Sequence, residues 1–137
     1  MAKLICENGD FFALDSFQRK SNVYDEYTPD CSLTVTVKSG SFYGAVQMST
    51  FVDLLKGWYQ RISEICQNYQ GSITLEDENP YYLPSTITFR YLSRGYIQVC
   101  GTLAEDCPNG QRLYFSVSAP VGNFDAFLSE LRSEFCF

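Results

Sequence analysis

Apolar and polar residues alternate along this chain, and the alternation is clearest between Gly71 and Ser118. The apolar residues of each segment share one parity: Ile73 and Leu75; Ile87, Phe89 and Tyr91; Ile97 and Val99; Leu113, Phe115 and Val117. A period of two predicts strands with one buried face and one solvated face. Such strands are typical of antiparallel sheets, because parallel sheets are usually covered on both faces.

The same alternation, interrupted by turns, predicts eight strands. Asn8-Gly9 and Ser39-Gly40 are typical of hairpin turns, and residues 106–110 form a further turn. The predicted strands are residues 3–7, 11–18, 32–38, 41–48, 72–76, 85–92, 96–104 and 111–118. A long polar connection separates the second strand from the third. We find no internal repeat and no linker in the sequence.

Two other segments have the period of a helix. The apolar stripe of the first is Phe51, Leu54, Leu55, Trp58, Tyr59, Ile62, Ile65 and Cys66. The stripe of the second, which Asn123 is expected to cap, is Phe124, Phe127, Leu128, Leu131 and Phe135. Ser49 or Thr50 is expected to cap the first helix, with Asp53 completing an approximate capping box. Gly57 inside this helix costs about 1 kcal/mol relative to Ala, and a close approach to the sheet is the expected reason.

These elements predict an α+β fold. We expect a mostly antiparallel sheet of six to eight strands, with two helices packed on one face and the other face open. The open face is expected to carry Lys38, Arg90, Gln98, Arg112 and Tyr114. The length of 137 residues indicates one domain, residues 1–137. An apolar fraction of 45%, with 11 Phe and 10 Tyr, is enough for a sizeable core.

The net charge of −6 constrains the partners. A nucleic-acid backbone or an anionic lipid surface calls for clustered Lys and Arg, so neither is an expected partner. An acidic protein is suited to a basic protein surface, because complementary charge speeds encounter. The alternative is that the acidity only keeps the protein soluble.

The first ten residues, MAKLICENGD, lack the long apolar core and the cleavage site of a signal peptide. No segment has the length of a membrane-spanning helix. We therefore expect a cytoplasmic protein without membrane contact. In that reducing compartment the six cysteines, which include no C-x-x-C pair, are expected to be free thiols.

The chain contains no histidine, which removes Ser-His and Cys-His catalysis and most metal sites. The carboxylate clusters fall in predicted loops or at strand ends: Asp25 with Glu26, Glu76 with Asp77 and Glu78, and Glu105 with Asp106. A catalytic acid needs burial to raise its pKa, whereas these positions favour solvated carboxylates. We therefore expect no enzymatic activity, no metal and no cofactor. An enzyme or small-molecule binder with a pocket between sheet and helices stays an alternative.

Several segments, taken together, resemble the WapI-type immunity proteins, small bacterial proteins that neutralise a cognate polymorphic toxin. The matching segments are SGSFYGAV (39–46), FVDLLKGW (51–58), GYIQVCGTL (95–103), NG (109–110), LYFSV (113–117) and FDAFLSEL (124–131). The resemblance covers about Leu33 to Phe135, and residues 1–31 lie outside it. It carries no catalytic residues over to this chain, and contact residues in the family vary with the toxin.

The resemblance implies a protein partner, namely a toxin such as a nuclease with a basic active-site cleft that acidic loops can occlude. The predicted contact residues are the carboxylates Glu76, Asp77, Glu78, Glu105 and Asp106, with Tyr81 and Tyr82 as anchors. A structural or adaptor domain of a larger cytosolic assembly is the main alternative, because an acidic surface and an open sheet serve that role equally well.

Overall fold

The computed structural model describes residues 1–20, 27–78 and 80–135. The carboxylate pair of Asp25 and Glu26 lies outside these residues. The strands are β1 (Ala2–Ile5), β2 (Phe11–Arg19), β3 (Cys31–Ser39), β4 (Phe42–Thr50), β5 (Ser72–Glu76), β6 (Thr86–Tyr91), β7 (Tyr96–Ala104) and β8 (Arg112–Pro120). The helices are α1 (Val52–Asn68) and α2 (Phe124–Phe135), with short 3-10 turns at Glu7–Gly9 and Val121–Asn123.

The strands form two antiparallel sheets, with orders β1-β2-β3-β4 and β5-β6-β7-β8. The α+β class, the antiparallel pairing and the two helices are as predicted. The prediction of one sheet of six to eight strands was wrong. The helix α1 follows β4 directly, and the strand that comes next, β5, starts a new ladder instead of pairing with β4.

The two halves of the chain have the same topology. Each half consists of four antiparallel strands in sequential order followed by a helix. Each helix packs against the first two strands of the other half: α1 contacts β5 and β6, and α2 contacts β1 and β2. The buried residues of α1 at Leu55, Trp58 and Ile62 have the same spacing as Phe124, Phe127 and Leu131 in α2. The fold is therefore a duplication of topology that no repeat in the sequence reveals.

One apolar core lies between the two sheets and the two helices. Phe12 of β2 meets Phe89 of β6 edge to face, with ring centroids 5.5 Å apart. Phe89 in turn contacts Trp58 of α1 at 5.0 Å, and Phe12 contacts Phe127 of α2 at 6.2 Å. Such aromatic pairs contribute about 0.5–1.5 kcal/mol each beyond the area they bury. These rings therefore connect both sheets and both helices.

The start of α1 differs from the prediction. Ser49 and Thr50 are the last residues of β4, where they pair with the start of β3, so neither caps the helix. The residue before α1 is Phe51, which makes no side-chain cap. Instead, Asp30 accepts a hydrogen bond from the backbone N–H of Val52, at 2.9 Å. A carboxylate remote in sequence therefore satisfies the helix start and complements its positive end.

No helix in the described part of the chain is both long enough and apolar enough to cross a membrane.

Candidate functional site

The predicted contact residues do not form one cluster. Asp77, Glu78, Tyr81 and Asp106 line a cleft of about 320 Å³, which we call the acidic cleft. Its other lining residues are Lys20 after β2, Thr28 and Pro29 before β3, Gln47 and Ser49 of β4, and Pro80 of the β5–β6 loop. The cleft is therefore built from both halves of the chain.

Asp106 fixes the backbone of the loop that forms one wall of the acidic cleft. One carboxylate oxygen accepts a hydrogen bond from the N–H of Tyr81 at 2.9 Å, and the other accepts from Tyr82 at 2.6 Å and Leu83 at 3.3 Å. The bonds from Tyr81, then Tyr82, lower the pKa of Asp106. Asp106 is therefore a charged group whose first role is to hold this loop in place.

Asp77 joins the two halves of the molecule. Its carboxylate accepts a hydrogen bond from the N–H of Ser49 at 2.9 Å, and the N–H of Glu78 donates to the carbonyl of Ser49 at 2.8 Å. Burial raises the pKa of Asp77, and the carboxylates of Asp106 and Glu78 act in the same direction. Asp77 therefore links the two halves through its hydrogen bond to Ser49, and Glu78 beside it is likewise partly buried.

Tyr81 and Tyr82 extend from the loop that Asp106 holds. The side chain of Tyr81 is 93% exposed, and that of Tyr82 is 56% exposed. Tyrosine is one of the residue types that carry most of the binding energy at protein interfaces. Two exposed tyrosines beside a negatively charged cleft therefore have the character of interface anchors.

Glu105 and Glu76 lie elsewhere. Glu105 accepts a hydrogen bond from the N–H of Gln111 at 3.0 Å, which closes the turn between β7 and β8, and it lines a separate pocket with Arg112. Glu76 lies in a groove between α1 and β5 that Glu78 also lines. Glu78 therefore lines both the acidic cleft and this groove. The pocket that Glu105 lines does not include Asp77.

A second groove lies between α1 and β5, and of the predicted contact residues only Glu76 and Glu78 line it. We call it the α1/β5 groove; it measures about 630 Å³ and is lined by Asp53, Leu54, Gly57, Trp58, Arg61, residues 72–76 and Glu78. Gly57 was expected to let the helix approach the sheet, and this was wrong: a Cβ added there meets nothing within 4 Å. A glycine in mid-helix without a packing reason was the one sign of this groove in the sequence.

Trp58 lines the same groove, and its indole N–H lacks an acceptor among the described residues. The side chain is only 2% exposed, and its ring packs against Phe89. A buried donor without a partner costs about 1–3 kcal/mol. Trp58 therefore combines a lining position in the groove with a buried donor that has no acceptor among the described residues.

Four of the five residues predicted on the open polar face do share one face of the second sheet. The register places Arg90, Gln98, Arg112 and Tyr114 on its outer face, where Gln98 donates to the hydroxyl of Ser116 at 2.9 Å. Lys38 is the exception, because it lies on β3 in the first sheet.

The described cysteines are free thiols, as predicted: Cys6, Cys31, Cys66, Cys100 and Cys107. Burial raises the pKa of Cys6 and of Cys31 to about 12. Within residues 1–20, 27–78 and 80–135, no three side chains of His, Cys, Asp or Glu are grouped so that they could hold a metal ion.

Comparisons of the chain with protein-family models, with curated proteins and with solved structures found no match. The resemblance to WapI-type immunity proteins therefore stays a prediction.

Proposed function

We propose that this protein binds and neutralises a bacterial toxin without catalysing a reaction. The observation that supports this role best is the acidic cleft, where carboxylates held by backbone hydrogen bonds lie beside two exposed tyrosines. Such a surface is suited to a toxin with a basic cleft, such as a nuclease. In this role the protein acts in the bacterial cytoplasm, and it contacts neither nucleic acid nor membrane.

The proposed mechanism is occlusion of the toxin's active site. Negative charge on the protein speeds encounter with a basic cleft on the toxin. Tyrosine side chains that become buried in the complex slow its dissociation. Because Asp106 already fixes the backbone of Tyr81 and Tyr82, little conformational entropy is lost when the complex forms. The loop is therefore organised for binding before a partner arrives.

The predicted contact residues have different parts in this proposal. Glu78, Tyr81 and Tyr82 contact the toxin, and Asp77 and Asp106 hold the loops that present them. Glu76 adds negative charge from the neighbouring groove, and Glu105 adds it from the β7–β8 turn.

Co-expression tests the proposal. The toxin is the product of the gene adjacent to that of this protein, and cells producing it are expected to survive when this chain is made. The double variant Glu78→Lys with Tyr81→Ala is expected to lose this rescue. The control Glu130→Lys makes the same charge change on the exposed side of α2 and is expected to keep it.

Two results would contradict the proposal. If the native chain does not rescue cells from that toxin, the function is wrong. If rescue survives simultaneous reversal of Glu76, Glu78 and Glu105, the electrostatic mechanism is wrong, because none of these three charges then contributes to binding.

A further inference from the structure

The strand β5 has an open edge, and its register shows which backbone groups lie on that edge. Within the described residues, its one neighbouring strand is β6. Just beyond the ladder, the N–H of Tyr91 donates to the carbonyl of Gly71 at 3.0 Å, and the N–H of Asp77 donates to that of Ser85 at 2.9 Å. Bonded residues alternate along an antiparallel strand. The odd-numbered residues of β5 are therefore the ones bonded to β6.

The even-numbered residues Ser72, Thr74 and Glu76 consequently direct their backbone N–H and C=O groups away from β6. The hydrogen bonds formed within the described ranges give these groups no partner. A row of unpaired donors and acceptors on an edge strand is a template for another strand.

There is room for a strand beside this edge. The α1/β5 groove lies along all five residues of β5, with Leu54, Gly57 and Trp58 on the helix side. Leu54 is 47% exposed although it is apolar, and a Cβ built at Gly57 meets no atom within 4 Å. The groove therefore offers an apolar contact, open space and an edge with unpaired backbone groups.

Trp58 lies in the wall of the groove, on the helix side. Its side chain lines the groove, and its buried N–H has no acceptor in the part of the chain that the structure describes.

The equivalent groove in the other half differs at one backbone group of its edge strand, β1. This β1/α2 groove, of about 590 Å³, is lined by Lys3, Ile5, Gly122, Asn123, Ala126 and Glu130. The side-chain amide of Asn123 donates to the carbonyl of Ile5 at 2.9 Å, so the chain itself satisfies one carbonyl of that edge. In α1 the position equivalent to Asn123 is Leu54, which has no side-chain hydrogen-bonding group.

The charges around the α1/β5 groove select the kind of segment that it accepts. Three carboxylates line it, those of Asp53, Glu76 and Glu78. Its one lining cation, Arg61, is paired with Glu64 at 3.0 Å. The groove is therefore negative, which favours a segment with Lys or Arg and disfavours a second copy of this acidic chain.

We infer that the α1/β5 groove binds an extended segment of a partner protein, bearing lysine or arginine, as an added strand hydrogen-bonded to Ser72, Thr74 and Glu76. This goes beyond toxin neutralisation, because it concerns the backbone edge of β5 beside the acidic cleft and holds whatever protein supplies the segment.

Nuclear magnetic resonance with a defined peptide tests the inference. The probe is a blocked seven-residue peptide of alternating lysine and valine, added to the full chain. We expect the amide resonances of Ser72, Thr74 and Glu76 to move, together with the indole resonance of Trp58, the one tryptophan of the chain. A peptide with glutamate in place of lysine is expected to bind at least about tenfold more weakly.

Two matched variants locate the binding. Gly57→Leu fills the α1/β5 groove and is expected to weaken peptide binding at least about tenfold. Ala126→Leu makes the corresponding change in the β1/α2 groove and is expected to leave binding unchanged. Both variants place a good helix former at an exposed helical position, so both are expected to fold.

Three results would overturn the inference: no movement of the β5 amides at millimolar peptide, equal binding by Gly57→Leu and the native chain, or equal binding of the glutamate peptide. Self-association of the chain that Gly57→Leu abolishes would instead identify a second copy as the occupant. None of these outcomes depends on rescue from a toxin, so the two proposals can fail separately.

Discussion

Asp77 accepts a hydrogen bond from the backbone N–H of Ser49 at 2.9 Å, and this contact joins the segment after β5 to the edge of β4. The next residue, Glu78, completes the pairing by donating its N–H to the carbonyl of Ser49 at 2.8 Å. A half-buried carboxylate thus protects an edge strand and connects the two halves of the chain.

Two replacements of Asp77 distinguish the contribution of its hydrogen bond to stability from the contribution of its charge. Asp77→Ala leaves the N–H of Ser49 without its acceptor and is expected to destabilise the fold by about 1 kcal/mol. Asp77→Asn keeps an acceptor oxygen and avoids ionising a half-buried group, so its stability at pH 7 is expected to equal or exceed that of the native chain. Urea unfolding measures both. An Asn variant as unstable as the Ala variant would show that the charge itself is needed.

The pH dependence of stability is expected to carry the signature of Asp77. Because its pKa is raised in the folded state, Asp77 stabilises the fold at pH values below the ordinary aspartate pKa. This stabilisation is lost as the pH rises through the pKa of the folded state. The stability of Asp77→Asn relative to the native chain is therefore expected to increase from about pH 4 and to level off above the folded pKa. A flat difference across this range would contradict the assignment.

Asp106 is expected to behave in the opposite way. Backbone hydrogen bonds lower its pKa, so its contribution to stability is present above the ordinary aspartate value and is lost as the pH falls through the folded pKa. Asp106→Ala is expected to speed hydrogen exchange at the amides of Tyr81 and Tyr82. Nuclear magnetic resonance measures both the titration and the exchange. Unchanged exchange in this variant would show that another contact holds the loop.

Gly57→Ala is expected to stabilise the protein by about 0.5–1 kcal/mol, because alanine is the better helix former and the added Cβ meets no atom within 4 Å. Gly101→Ala is the contrasting control. Its backbone has a φ of +155°, and its Cβ would collide with the carbonyl oxygen of Thr86, so it is expected to destabilise. Chemical unfolding ranks the two variants, and a loss of stability in Gly57→Ala would indicate a contact at this site.

Tyr81→Ala is expected to affect binding without affecting folding. Because the side chain is 93% exposed, the free energy of unfolding is expected to change by less than about 0.5 kcal/mol. Toxin affinity is expected to fall at least about tenfold, the loss typical of an interface anchor. Calorimetric titration with the toxin and parallel urea unfolding provide the two readings. A variant with normal affinity would exclude Tyr81 as an anchor.

The thiols are expected to differ in reactivity according to burial. Burial raises the pKa of Cys6 and of Cys31 to about 12 and that of Cys66 to about 11, and only the thiolate reacts. In a Cys136→Ser background, a thiol reagent at pH 8 is expected to modify the exposed Cys107 first and these three only after unfolding. Mass spectrometry of the modified peptides identifies the sites, and early labelling of Cys31 would contradict its burial.

The sequence predicted the strands better than their arrangement. The alternation gave the bounds of β5 and β7 as the structure has them, and it identified Phe89 and Val99 as buried. Alternation shows which face of a strand is buried, but it does not show which strand pairs with it. The division into two sheets depends on where α1 leads the chain, which is a long-range property.

The same limit applies to the sites. The acidic residues were visible in the sequence, but the bond from Tyr81 to Asp106 joins two different loops, and no local pattern predicts it. The internal duplication was hidden for a related reason. Trp58 and Phe127 occupy equivalent buried positions with different side chains, because packing requires apolar volume at that spacing and not a particular residue.

Each helix packs on the strands of the other half, and this arrangement determines whether either half can fold alone. Since α1 is covered by strands of the second half and α2 by strands of the first, a fragment ending after α1 would expose the apolar stripe of its own helix to water. Such a fragment could bury that stripe only by associating with a complementary fragment. The four-strand-and-helix unit is thus half of a mutually dependent pair, and a chain built from one such unit would have to function as a dimer.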